Sequence, residues 1–341
     1  MNDVMALSWF DHRRTRELCG GLDIELVPLA TPYGGLRRYL VLTVRTVALL
    51  ARRRPRVLLV QNPSLVLSVL AVALRGALRY RLVVDAHNEA VDPYENRQFC
   101  IGALSRWVVR RADLTIVTNR QLAQRVREQR GEPFILPDRI PAAPGGAART
   151  LASGYNVVLI ATFAKDEPIS AIFDAVRGVQ LHLHVTGNPA RLPARVKAAA
   201  PANVHFTGFL AEGDYWSLLR SADAIVDLTL KPDCLVCGAY EALALGKPVL
   251  LSANAASIEL FGDGALYTDN SPGDVRRALD QLRAEQRPQQ AAAARKRDEL
   301  IERWKTSAQA LRAALAPVHP SVHRSRPLDA APEAESRERS P

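Results

Sequence analysis

Two acids with seven residues between them, Asp233 and Glu241, bracket a short turn, and the clearest chemistry in this 341-residue chain gathers there. The residues between are Cys234, Leu235, Val236, Cys237, Gly238, Ala239 and Tyr240. A helical run from Tyr240 to Leu245 follows. Gly246 and Pro248 stop it, and Val249 to Leu251 reads as a buried strand. The pattern is a loop entering a helix N-terminus with a carboxylate on each side. Backbone N–H groups at such a terminus suit a diphosphate, and the helix dipole adds to the attraction. A carboxylate within the first turns is placed to accept hydrogen bonds from ribose or sugar hydroxyls.

This stretch resembles the donor-site signature of retaining GT-B glycosyltransferases of the family 4 (group 1) type. That signature is a Glu, seven residues, a second Glu, then Ala-x-Ala/Ser-x-Gly-x-Pro-Val. The run from Glu241 to Val249 follows its second half, and Asp233, one methylene shorter, stands for the first Glu. Further landmarks match in order: Thr186-Gly187 after a strand, the Phe206-Thr207-Gly208-Phe209 turn, and Ala222-Asp223 before the strand feeding the acid loop. In the first half of the chain the likeness is only architectural.

The resemblance implies an α/β fold of two Rossmann-like doubly wound parallel-sheet domains facing a cleft. It implies transfer of a sugar from a UDP- or GDP-sugar, with retention, and without metal or other cofactor. Glu241 would take the ribose hydroxyls. Asp233 and the backbone of Cys234, Leu235, Val236 and Cys237 would hold the sugar, and the helix opening at Gly238 and Ala239 would face the diphosphate. His87, Asp233 and Glu241 are the catalytic candidates. Lys165, Thr186, Gly187, Gly208 and Phe209 complete the donor-binding set. No protein general base is named, because a donor phosphate oxygen is commonly taken to be the base in this family.

One departure stands out. The family carries an Arg and then a Lys in the first loop of its second domain. Here that loop is Thr162 to Pro168, where Lys165 is the only cation and Asp166 and Glu167 follow it. Carboxylates beside a diphosphate repel it. Either Lys165 acts with help from the Arg-rich first half, or the loop turns differently.

The elements that position these residues alternate strand and helix throughout, the pattern of parallel βαβ units. The expected organisation is a first domain over 1–141, a small-residue linker over 142–155, a second domain over 156–315 and a disordered tail over 316–341. The last helix may equally pack back on the first domain. In doubly wound sheets ligands sit at the carboxyl ends of strands. In the first domain those ends carry Ser8, His12, Arg13 and Arg14, then Asn62, then Asp85, His87 and Asn88, then Asn119 and Arg120. Asn119 has a simpler use as a helix cap.

Charge is uneven. Residues 1–150 hold 23 Arg, no Lys and 13 acids, whereas the rest balances 22 bases against 22 acids. A cationic face on the first domain points to anionic lipid head groups or pyrophosphate-bearing substrates. No aromatic-basic platform supports nucleic acid. The four cysteines make no disulfide framework, and the single Cys234/Cys237 pair is a weak metal signal. His182 and His184 have ligand-like spacing in a strand reading as an exposed edge or one wet face, with no third ligand close in sequence. The longest apolar stretch, Leu65 to Leu74, is about half of a membrane span. No signal peptide is visible. A cytoplasmic protein, peripheral at the membrane and acting on a saccharide or polyprenyl-linked acceptor, is expected. The alternatives are a UDP-sugar epimerase of the same architecture, using Asp85, His87 and Glu89, and a non-catalytic subunit of a polysaccharide assembly complex.

Overall fold

The computed structural model describes residues 3–62, 64–86, 91 and 99–316. His87, Asn88, Glu89 and the tail from 317 lie outside these described residues. The chain forms two six-stranded sheets, every pairing parallel.

In the first lobe β1 (Val4–Ser8), β2 (Glu25–Pro28), β3 (Val57–Asn62), β4 (Arg81–Ala86), β5 (Leu114–Val117) and β6 (Pro133–Ile135) lie in the order β2-β1-β3-β4-β5-β6. Their connections include α1 (Arg13–Leu22), α2 (Gly35–Arg53), α3 (Leu65–Leu78), α4 (Phe99–Arg111) and α5 (Arg120–Glu128). The central strands are apolar runs because helices cover both faces. Met5, Leu7, Leu58, Val60, Leu82 and Val84 pack toward α2, α3, α4 and α5. Their neighbours in sequence, Val4, Ala6, Val57, Leu59 and Val83, face Leu18 and Leu22 of α1.

The second lobe holds β7 (Asn156–Leu159), β8 (His182–Thr186), β9 (Val204–Gly208), β10 (Ala224–Asp227), β11 (Val249–Ser252) and β12 (Leu266–Thr268), ordered β12-β11-β10-β7-β8-β9. Its helices are α6 (Ile169–Val176), α7 (Ala194–Ala198), α8 (Glu212–Ser221), α9 (Cys237–Ala244), α10 (Ala255–Phe261), α11 (Pro272–Ala284) and α12 (Gln286–Leu315). The last of these returns to the first lobe. Trp304, Ala308, Leu311 and Leu315 join the core beneath α1, and Arg312 donates to the carbonyls of Gly21 and Leu22. Gly21 allows that approach, since a Cβ there would lie 2.1 Å from the Trp304 ring.

Several local expectations are corrected. Helix α9 begins at Cys237, three residues ahead of the run expected from Tyr240, because a buried carboxylate caps it from a neighbouring strand, as described below. Helix α10 was not anticipated, although Asn254 caps it by accepting from Ser257 N at 2.8 Å. β8 is not the sheet edge; β9 is, and His182 and His184 stand on a half-wet face of β8 beside His205.

Candidate active site

In a doubly wound sheet a crevice opens where neighbouring connections leave on opposite faces. In the second lobe that point lies between β7 and β10, so the loops after Leu159 and after Asp227 frame it. Both loops carry residues singled out from sequence.

Asp227 ends β10 and is buried, and its Oδ2 accepts from Gly238 N at 2.8 Å. This bond starts α9 early. It also requires glycine, because a Cβ at position 238 would meet Asp227 Oδ2 at 2.5 Å and Ile160 Cδ1 at 2.6 Å. Burial pushes the Asp227 carboxyl well above the usual carboxylate range, and the nearby Glu241, Glu167 and Asp166 push it further. The effect favours a neutral group under the helix end.

Glu241 lies one turn into α9, buried but for its tip at the cleft. Its two oxygens have different partners. Oε2 accepts from the Tyr215 hydroxyl of α8 at 2.5 Å, and Oε1 accepts from Arg13 Nη1 of the first lobe at 2.6 Å. Burial raises the Glu241 carboxyl above its ordinary range, while Tyr215 and Arg13 pull it down. Burial and the Glu241 charge push the Tyr215 phenol up, so it remains a neutral donor. The Arg13 guanidinium also stands 5.4 Å from the centre of the Trp216 ring.

Asp233 also meets the first lobe. Arg125 Nη2 of α5 donates to its Oδ2 at 2.8 Å, and Asn119 Nδ2 donates to its backbone carbonyl at 2.9 Å. Asn119 caps α5 as well, accepting from Leu122 N at 2.9 Å, as its capping reading expected. Asp233 has a left-handed backbone (φ 57), which aspartate tolerates better than most residues.

The loop after β7 is held by its own acids. Glu167 folds back, taking Thr162 N (2.9 Å), Thr162 Oγ1 (2.6 Å) and Phe163 N (2.8 Å) on its carboxylate. Successive N–H groups of this kind form an anion nest, and here the anion is the chain's own. Asp166 accepts from Thr229 Oγ1 at 2.7 Å and lies 3.8 Å from Lys231 Nζ. Both acids are therefore turned into internal contacts, and Lys165 is exposed.

Between the lobes lies a cavity of about 410 Å³. From the second lobe it is lined by Lys231, Cys234, Leu235, Cys237, Tyr240 and Glu241; from the first, by His12, Arg13, Arg14, Asp138 and Arg139 among others. Of the expected donor residues, Leu235, Cys237 and Glu241 line it. Asp233 stands beside it, while Val236 precedes α9 and Gly238 and Ala239 are packed behind it. Thr186, Gly187, Gly208 and Phe209 sit at the carboxyl ends of β8 and β9. Thr186 is buried, accepting from Ala161 N, and Gly187 (φ 87) packs on the Ala161 carbonyl. Phe209 is exposed.

Behind the cavity wall Arg14 is buried, donating to Asp85 Oδ1 from Nε at 3.1 Å and Nη2 at 2.9 Å, and also pairing with Asp138. Arg13 was weighed from sequence only as one of the polar residues after β1, and Lys231, Tyr215, Asp227 and Arg125 were not singled out. Lys231 had a local signal, two residues before Asp233; Tyr215, Asp227 and Arg125 owe their place to tertiary contacts. Among the described residues, no group of three or more His, Cys, Asp or Glu is arranged for a metal ion, and no helix is long and apolar enough to cross a membrane.

Two doubly wound lobes, with an acid loop at the switch point of the second and a cleft closed by residues of the first, define the GT-B class of glycosyltransferase. Residues 3–141 match the family model described as a glycosyl transferase 4-like domain, and residues 167–315 match that of a glycosyl transferase-like domain. The chain belongs to the GT-B glycosyltransferases of the group 1 type and is a transferase. The first match falls on the half where sequence likeness had been only architectural. No curated protein matches the chain by sequence. Sucrose-phosphate synthase from Thermosynechococcus elongatus is similar in fold (TM-score 0.74, 14% identity, 92% of this chain and 98% of that one). So is Anabaena HepE in complex with UDP and glucose (0.71, 14%, 92% and 99%). A putative UDP-N-acetylglucosamine 2-epimerase from Listeria monocytogenes shares the architecture (0.60, 15%, 91% and 95%).

Proposed function

We propose that this transferase moves a sugar from a nucleotide-diphosphate sugar, with retention, to a saccharide or lipid-linked saccharide at the membrane surface. The observation that carries the reading is the placement of Glu241: a buried carboxylate one turn into the helix at the switch point, lining the cavity between the lobes. Ribose hydroxyls would donate to it, and Asp233 would face the sugar. HepE was solved with UDP and glucose, which supports a nucleotide-sugar donor at the level of the fold. Arg13 and Lys231 bring positive charge to the cavity wall, where a leaving diphosphate develops charge. Turnover is expected to survive EDTA.

The membrane part rests on α2. Leu36, Leu40 and Val44 recur every fourth residue and are 76%, 61% and 68% exposed. Arg37 and Arg45 also stand exposed on this helix. An apolar stripe beside arginines fits an anionic bilayer lying along the helix. Salt-sensitive flotation with phosphatidylglycerol vesicles, absent with phosphatidylcholine, is expected. Indifference to both at low ionic strength would favour a soluble acceptor.

For the donor, thermal unfolding is measured with UDP- and GDP-sugars. Protection by one base is expected, and no response to either would remove the reading. An epimerase of this architecture would alter the sugar of UDP-sugar with no acceptor present; the transferase reading expects no altered sugar.

A further inference from the structure

The anion-binding groups of the second lobe are already in use. Gly238 N at the α9 terminus carries Asp227, and Thr162 N and Phe163 N carry Glu167. The family's arginine is missing from the loop. With only Lys165 on that loop and Lys231 at the cavity, a donor diphosphate draws on the first lobe as well, and Arg13 reaches into the cavity from there.

Both oxygens of Glu241 are also engaged. A ribose diol approaching from the cleft competes with these partners for the carboxylate. Tyr215 belongs to the same lobe and its hydroxyl is directed from a packed helix. Arg13 comes across the cleft and its side chain is 39% exposed, against 7% for Glu241. Arg13 is the exchangeable partner.

We propose that Arg13 is a donor-binding residue that leaves Glu241 and passes to the diphosphate when a nucleotide enters. The ribose hydroxyls take its place on Glu241, and its guanidinium supplies the charge absent from the 162–168 loop. This inference rests on the donor reading above. It has a distinctive consequence. A nucleoside alone displaces Arg13 and gives it nothing in return, whereas a nucleoside diphosphate re-pairs it. Removing Arg13 therefore weakens the diphosphate and spares or improves the nucleoside.

Calorimetric titrations of wild type, Arg13→Ala and Arg13→Lys with UDP and uridine, and with GDP and guanosine, test this. The expected result is a loss of about tenfold or more for the preferred diphosphate in Arg13→Ala, as for one charge-assisted contact. Nucleoside affinity should be unchanged or higher, with Arg13→Lys in between. An equal loss for diphosphate and nucleoside would show Arg13 merely holding the lobes, and no loss for either would show it idle; each overturns the proposal. If wild type binds neither UDP nor GDP, the donor reading itself fails and this inference falls with it, an outcome distinct from failure in the variant alone. Melting curves confirm that the variants fold, and Arg13→Lys, which keeps the charge, serves if the alanine variant does not.

Discussion

Arg125 and Asp233 lie on opposite lobes and are joined by a 2.8 Å contact from Nη2 to Oδ2. With Asn119 holding the Asp233 carbonyl, the first lobe sets the shape of the acid loop in the second. Arg125→Ala is expected to cost about 1 kcal/mol, between the values for exposed and buried pairs. The larger effect should be functional, a fall of about tenfold in donor kcat/KM as the loop loses its register. Steady-state kinetics beside a denaturant titration would separate the two; a stability loss with unchanged kcat/KM would contradict the role given to this pair.

Glu241 gives the sharpest functional test. Glu241→Ala removes the group proposed to take the ribose hydroxyls while relieving the cost of a buried carboxylate, whose pKa burial raises. Turnover should fall by at least about a hundredfold, with the protein still folded. A non-catalytic subunit would instead keep its partner and lose nothing, which pull-down alongside a transfer assay reads directly.

Gly238→Ala places a methyl against Asp227 Oδ2 and Ile160 Cδ1. Asp227 Cβ, at 2.9 Å, would still clash after the carboxyl and Ile160 rotated, so overpacking of about 1–3 kcal/mol is expected. Urea unfolding measures it. Gly20→Ala, where a Cβ meets nothing within 4 Å, is the control and should be near neutral.

Arg14→Ala leaves Asp85, fully buried, without its guanidinium. Removing one member of a buried pair costs about 3–5 kcal/mol. The exposed Arg16–Asp11 pair lies two residues on in the same helix, and Arg16→Ala should leave the urea midpoint unchanged.

His184 gives a pH signature. Burial first, then His205, His182 and Arg149, lower its pKa from 6.5 to about 4. Folding therefore favours the neutral ring. Its contribution is complete above pH 6.5, declines as the unfolded chain gains a proton that the folded chain refuses, and levels off below about pH 4. The melting temperature of wild type should fall more between pH 7 and pH 4.5 than that of His184→Gln. Parallel curves would contradict the assignment.

Much was legible in the sequence because parallel strands buried on both faces must be apolar runs, and helices between them must be amphipathic. The alternation of strand and helix read from the sequence is the order found in both lobes, β11 lies where Val249 to Leu251 was read as a strand, and Glu241 was found because a glycine and proline stop, local in sequence, marks its helix. Local signals could not show that α9 starts at Cys237, since its cap comes from Asp227 on another strand. The same limit applies to Glu167, whose carboxylate turns back into its own loop rather than standing against a diphosphate.

The order of elements, the helix carrying Glu241 and the Arg-rich first half are properties of the sequence itself, set by periodicity and composition. The partners of the two acids are not. Arg13 lies 228 positions from Glu241, and Arg125 lies 108 from Asp233. Such pairs form only when two separately packed lobes come together, with α12 of the second packed on the first. Tertiary structure alone decided them, because a contact across a cleft depends on the placement of whole lobes and leaves no periodic trace in either segment.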